Sequence, residues 1–354
     1  MMDYQIHYNL NRICRLSLDN RCKKTSFVKK SRCKGDEYLI KVLVTARSFA
    51  LCDEAKALLE SQGYLITWNP VGRPLKEAEL LELIPGMDAL ITGTDEVTEK
   101  VIAAGMPTLK VIGKYGVGYD NINVAAAKER GIQVTYTPGV LTKSVAELAM
   151  GLLMAVTRNI AAMDQLVRQG KWERITGTEL SGKTIGIVGT GNIGREVAKR
   201  AAAFDMKIIA FDVWPNPDFA AQYGIKYVSL EELFKKADFI SLHAPSTPET
   251  VGMIHAKILQ SMKNTAVLIN TARGDLIVEE DLIKALQEGV IAGAGLDTFA
   301  VEPLSDKRFF SLKNVVLTPH AGSNTRETVA RMSIMVATDV VAVLGGNLPH
   351  YPVR

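Results

Sequence analysis

Residues 183–204 read KTIGIVGTGNIGREVAKRAAAF. Ile185–Val188 is a short apolar run of strand type, and Arg195–Phe204 has the composition of a helix. Between them Gly189, Gly191 and Gly194 stand in G-x-G-x-x-G spacing. Alone that spacing is weak, because glycine-rich turns are common. After a strand and ahead of a helix it reads as the turn of a dinucleotide-binding βαβ unit. Gly189 permits the tight turn and Gly191 lets a pyrophosphate approach the backbone. Gly194 allows close helix–strand packing, and the helix N-terminus offers N–H groups to the phosphates. A second strand, Lys207–Phe211, leads to Asp212, 18 residues past Gly194. An acid there can accept from a ribose 2′-OH and would repel a 2′-phosphate, so NAD is favoured over NADP. The plainer alternative is a structural turn followed by a surface aspartate.

Working outward, strand-like and helix-like patterns alternate on both sides. Upstream lie Lys41–Thr45, a helical Asp53–Gln62 ending at Gly63, then Ala89–Thr92, Leu109–Gly113 and Ile132–Thr135. A long apolar helix is expected over Ser144–Asn159, with Ser144 and Glu147 in capping-box form. Alternation resumes at Thr184 and runs to about Pro319, and a last helix spans about Thr325–Leu344. The expected fold class is α/β, with two doubly wound parallel-sheet domains. One is a Rossmann NAD-binding domain over 143–320. The other is a discontinuous domain made of 39–142 and 321–354, because the last helix has no sheet of its own and is expected to return to the first unit.

The chain has 354 residues, 47% apolar and 23% charged, which is ordinary for a globular protein. No apolar run approaches a membrane span, so no membrane partner is expected. Residues 1–38 hold nine Lys/Arg against four Asp/Glu. The net charge of +4 therefore sits in this segment, and the rest, near neutral, gives no charge argument for nucleic acid. The segment reads as an organelle transit peptide, a nucleic-acid arm or a disordered leader. Cys14, Cys22 and Cys33 lie in it at no common zinc spacing, so no metal site is expected. Cys52 alone remains in the core, which fits a reducing compartment, the cytoplasm.

In a doubly wound sheet, ligands sit beyond the carboxyl ends of the strands. Ala266–Ile269 runs into Asn270, Thr271, Ala272 and Arg273. A guanidinium in that place can grip a carboxylate with two hydrogen bonds, although Arg273 alone could equally be a structural ion pair. AGAGLDTFAVEP (292–303) delivers Asp297 and Glu302 from the next strand end, and NVVLTPHAG (314–322) delivers His320. A lone His after Pro is usually a turn residue, and a lone Glu before Pro a loop carboxylate. Their arrival with Arg273 from three successive strand ends favours chemistry: hydride transfer at a 2-hydroxy acid. Arg273 would hold the carboxylate and His320 would take the hydroxyl proton. Glu302 would fix the ring tautomer and stabilise the imidazolium.

Those segments, with HAPSTPET (243–250), LINTARGDLIVEEDLIKAL (268–286) and TPHAGSNTRE (318–327), resemble the D-isomer-specific 2-hydroxyacid dehydrogenases, in family order. The resemblance implies Arg273, Glu302 and His320 as the catalytic set. It implies an NAD site lined by Gly189, Gly191, Asn192, Ile193, Gly194, Asp212, His243, Ala244, Pro245, Thr271, Ala272 and Asp297, with Asp297 facing the carboxamide end. It also implies a flavodoxin-like substrate domain over 39–142 with 321–354, a small 2-hydroxy or 2-keto acid as substrate, and usually a homodimer. KYGVGYDNI (114–122) resembles the family's substrate-carboxylate loop, where Tyr115, Gly116, Val117 and Gly118 could form an anion nest or a simple βα turn.

RQGKWERITGTELSGKTIGIVGTGNIGREVA (168–198) especially resembles the phosphoglycerate dehydrogenase branch, so 3-phosphoglycerate is the first substrate expectation. The chain departs from that branch at Gly93 and Thr94, where Arg-Ser is typical. Asp95 and Glu96 beside them would repel a phosphate. Hydroxypyruvate, glyoxylate or another 2-hydroxy acid is the alternative. A chain ending at 354 would lack the regulatory domain of some phosphoglycerate dehydrogenases. An NAD-sensing protein resembling the C-terminal-binding corepressors is a remoter alternative, because fold does not fix function.

Overall fold

The computed structural model describes residues 38–354; the readings made for 1–37 lie outside the described residues. Two parallel sheets form. The first has five strands: β1 (Lys41–Val44), β2 (Leu65–Trp68), β3 (Ala89–Thr92), β4 (Val111–Lys114) and β5 (Gln133–Thr135). Their spatial order is β2-β1-β3-β4-β5. That is the flavodoxin-like order, with its switch between β1 and β3.

The second sheet has seven strands: β6 (Thr184–Val188), β7 (Lys207–Phe211), β8 (Lys226–Tyr227), β9 (Phe239–Leu242), β10 (Val267–Asn270), β11 (Gly293–Leu296) and β12 (Val315–Leu317). From one edge they run β8-β7-β6-β9-β10-β11-β12, the doubly wound dinucleotide order with one strand added. Every pairing in both sheets is parallel. The expected fold class is thus the observed one.

The central strands are short apolar runs because helices cover them on both faces. Strands β3, β4, β9, β10 and β11 are buried at every residue. The edge strands β2 and β8 escaped the sequence reading. β2, LITW, is a four-residue apolar run left partly exposed at the sheet edge, and β8 has just two residues.

The helix Thr142–Thr157 packs Ala146, Ala149, Met150, Leu152 and Leu153 into the core of the second sheet. The capping box expected at Ser144 is not formed. The helix begins earlier, its N-cap position is Leu141, and the Ser144 hydroxyl donates back to the Leu141 carbonyl at 2.9 Å. Glu147 pairs instead with Arg200 at 2.9 Å. Tertiary packing of the apolar face, not a local cap, sets this start.

The final helix, Arg326–Leu344, has Thr325 as its N-cap, the hydroxyl accepting from the Thr328 N–H. It lies on the first sheet. Val336, Ala337 and Val340 share a core with Val42, Val44, Ile91 and Val111. The tail then runs beside β5, where Val353 N–H donates to Val134 O at 2.8 Å. Buried Asp339 holds it by accepting from the backbone N–H groups of His350 and Tyr351. Among the described residues no single helix is long and apolar enough to cross a membrane.

Candidate active site

The carboxyl ends of the two sheets face a common cleft that encloses a cavity of about 370 Å³. Tyr115, Gly116, Val117 and Gly118 line it from the loop after β4. Ile193, His243, Ala244, Pro245, Thr271, Ala272, Arg273, Asp297 and His320 line it from the second sheet. Glu302 lies beside it, sharing with His320 an adjoining and more apolar hollow that also touches Phe299, Pro303 and Leu304. Gly189, Gly191, Asn192 and Gly194, at the glycine turn beyond β6, and Asp212, at the end of β7, do not line this cavity.

His320 Nδ1 lies 3.0 and 2.9 Å from the two Glu302 oxygens. An ionised carboxylate only accepts, so it places the ring proton on Nδ1 and leaves Nε2 with a lone pair. Burial pushes the Glu302 carboxyl up, but the His320 hydrogen bond and charge, the Phe299 N–H and Arg273 outweigh it and hold the group below the usual range. His320 itself sits at φ +52°, a left-handed conformation that a bulky residue adopts only when its surroundings impose it. Asp297 imposes it. Its Oδ1 accepts from Thr318 Oγ1 at 2.6 Å and Ala321 N–H at 2.7 Å, and its Oδ2 from Gly322 N–H at 2.9 Å. Its carbonyl takes the His320 N–H at 2.8 Å. A buried aspartate beyond β11 therefore braces the loop that carries the histidine, a contact the sequence reading did not foresee.

At the glycine turn, Gly189 has φ +91°, and a Cβ there would come within 2.8 Å of the His243 carbonyl. A Cβ on Gly194 would stand 2.0 Å from the Gly189 oxygen, so helix and turn touch. A Cβ on Gly191 would meet nothing within 4 Å, which leaves its backbone open to an approaching phosphate. Asp212 accepts from Thr190 N–H at 2.5 Å, Thr190 Oγ1 at 2.9 Å and Trp214 N–H at 2.8 Å. Burial pushes its carboxyl up, but these donors and Arg195 hold it below the usual range. Two polar atoms beside the cleft, His243 Nδ1 and Thr271 Oγ1, are buried without a partner in the described protein. Buried polar atoms require partners, so this pair fits a polar ligand such as NAD. Burial pushes the His243 imidazole down to about 4, which keeps it neutral.

Three residues that the sequence reading passed over also stand in the cleft. Lys114, at the end of β4, is buried. Its ammonium donates to the Gly93 carbonyl and, at 2.7 Å, to Asn121 Oδ1. Burial and Arg273 push its pKa down to about 7, against the pull of Asp120, Asp95 and Glu302. Asp120 is paired with Arg273, Nη2 to Oδ1 at 2.8 Å. Arg47 lines both hollows and makes no hydrogen bond or ion pair among the described residues. The strand-end rule that singled out Arg273 would have found Lys114.

Of the two acids expected to repel a phosphate, Asp95 lines the cleft and Glu96 does not. Asp95 is buried and turned into the fold, accepting from Thr45 Oγ1, Thr92 Oγ1, Leu75 N–H and Gly93 N–H at 2.6, 2.7, 2.6 and 3.1 Å. Glu96 accepts from Glu77 N–H at 3.2 Å. Asp95 thus acts as a clamp on the ends of β1 and β3, and its charge is spread over four protein donors.

Comparison with known proteins agrees with this arrangement. Residues 150–322 match the family described as D-isomer specific 2-hydroxyacid dehydrogenase, NAD binding domain. The chain is 47% identical over 279 residues to a glyoxylate reductase of Thermococcus litoralis, covering 76% of this chain and 84% of that one. It is 44% identical over 275 residues to a D-3-phosphoglycerate dehydrogenase of Synechocystis sp., covering 77% of this chain and 50% of that one. Among solved structures, the TT0316 protein from Thermus thermophilus superposes with a TM-score of 0.80 at 39% identity, over 89% of this chain and 100% of that one.

Proposed function

The chain belongs to the D-isomer specific 2-hydroxyacid dehydrogenases, enzymes that use NAD, and we propose that its substrates are the short pair glyoxylate and hydroxypyruvate with their 2-hydroxy acids. When bound, NAD supplies the hydride acceptor or donor. The remaining chemistry falls to the chain. Arg273 and the N–H groups of Val117 and Gly118 hold the carboxylate, since the Gly116 N–H is already given to Thr137 Oγ1 at 3.0 Å. His320 Nε2 takes the hydroxyl proton in oxidation and returns it in reduction, while Glu302 keeps Nδ1 protonated and stabilises the imidazolium. The pairing of His320 with Glu302 beside Arg273, in one cleft, is the observation that carries this reading. The unpartnered His243 Nδ1 and Thr271 Oγ1 support the assignment of the coenzyme site.

A second reading, 3-phosphoglycerate and with it serine synthesis, is favoured by Arg47. This cleft cation, whose side chain has no partner among the described residues, could take the phosphate in place of the arginine missing at Gly93. Steady-state kcat/KM with NADH for glyoxylate, hydroxypyruvate and 3-phosphohydroxypyruvate separates the two. A preference for the phosphorylated acid would overturn the first reading.

A homodimer in the cytoplasm completes the proposal. The helix Ile160–Arg168 buries none of its residues, and Trp172 just after it is 90% exposed, a surface that suits a second copy. Sedimentation velocity of wild type against Trp172→Asp tests the dimer.

A further inference from the structure

Arg273 has five N–H donors, and their partners are unequally placed. Nε–H points at the Asp120 carboxylate, 3.1 Å from each oxygen, and Nη2 lies 2.8 Å from Oδ1. Nη1 donates to the Ala272 carbonyl at 2.7 Å. In a planar guanidinium used this way, one N–H remains on Nη1 and one on Nη2, side by side on the outer edge. That edge meets the Gly116–Gly118 turn: a Cβ on Gly118 would stand 1.6 Å from Nη2.

Building on the dehydrogenase reading above, we propose that Asp120 is a positioning residue. It holds Arg273 by its side edge across the cleft, so that the outer edge is presented to the substrate carboxylate. Asp120 follows β4 of the first sheet and Arg273 follows β10 of the second, 153 residues away. The contact is therefore made between the two lobes. An arginine on a free stem loses rotamer freedom when it grips a ligand, and a partner that fixes it beforehand removes that cost. Asp120 does not compete with substrate, because it occupies the other edge. It also stands near two cations, Arg273 and Lys114, whose mutual repulsion its charge offsets. A partly exposed ion pair adds little to stability, so fixing the fork is the larger effect.

The test uses the full chain as wild type, D120N, R273K and the double variant. Two readouts are taken: steady-state reduction of glyoxylate by NADH, and calorimetric binding of oxamate to the NADH-saturated protein. In D120N the KM for glyoxylate is expected to rise about tenfold and the oxamate Kd by a similar factor, as pre-organisation is lost. The kcat should change less, and the NADH Kd should stay that of wild type. In the R273K background the same substitution should do little, because lysine has no fork to hold. An unchanged oxamate Kd in D120N, an equal effect in both backgrounds, or no oxamate binding to wild type would overturn the proposal. If wild type reduces none of the 2-keto acids but D120N still weakens oxamate, the substrate reading fails and the role of Asp120 stands.

Discussion

Glu302 grips His320 with both oxygens, at 3.0 and 2.9 Å from Nδ1, while Asp297 fastens the chain on either side of the same histidine. The ring is thus held at the carboxylate edge and at its own backbone, with Nε2 the one nitrogen left for a substrate.

Removal of the base should be costly. His320→Ala is expected to lower kcat for the 2-keto acid by about 10²–10⁴-fold, the usual range for a positioned acid–base group. Glu302→Gln keeps the shape but loses the charge and can impose the other tautomer, so it should also lower kcat, with a smaller change in KM. Initial-rate kinetics with NADH measure both. A wild-type kcat in either variant would remove that residue from the mechanism.

Asp297→Asn should act through the loop. An amide can accept at one oxygen only, so it cannot serve Thr318, Ala321 and Gly322 together. The left-handed His320 then loses its brace. We expect a fall in kcat together with a lower Tm, by about 1–3 kcal/mol of stability for the unpaired buried groups. Activity and thermal denaturation measured on one preparation check this.

At the glycine turn, Gly194→Ala places a methyl 2.0 Å from a backbone oxygen, which no rotamer can relieve. Overpacking of this kind costs roughly 1–3 kcal/mol. The turn should open and NADH binding should weaken, as read by fluorescence titration. Gly191→Ala meets no protein atom within 4 Å and should fold normally while weakening NADH. Equal NADH affinity in Gly191→Ala would separate this turn from the phosphates.

Acid should unmask His243. Its folded-state value is about 4 against 6.5 for an ordinary histidine. Between these values the unfolded chain binds a proton that the folded chain refuses. Stability is therefore undiminished above pH 6.5 and is lost as pH falls towards 4, by up to about 3 kcal/mol. Carboxylates held low, such as Glu302 and Asp212, add to the loss in acid, so the comparison must be with His243→Asn. Chemical denaturation from pH 7 to pH 4 should show a shallower decline in that variant.

Much of this protein is decided by local pattern. Gly189, Gly191 and Gly194 after an apolar strand, and Arg273, Glu302 and His320 after three later strands, are legible in one dimension. A parallel sheet carries every strand's carboxyl end to one edge, so the order of strands already brings those residues together. Other features depend on partners far away in the chain. Asp95 reads as a charge beside a substrate loop, but folding turns it inward onto Thr45 and Leu75, 50 and 20 residues away. Ser144 reads as a cap, but burial of the apolar face starts its helix earlier. Asp120 becomes the partner of Arg273 only when two separately wound sheets face one another across the cleft. Spacing along the chain reports what one strand and its turn must do, whereas the direction of a charge and its neighbours across the cleft are set by the packing of the two sheets.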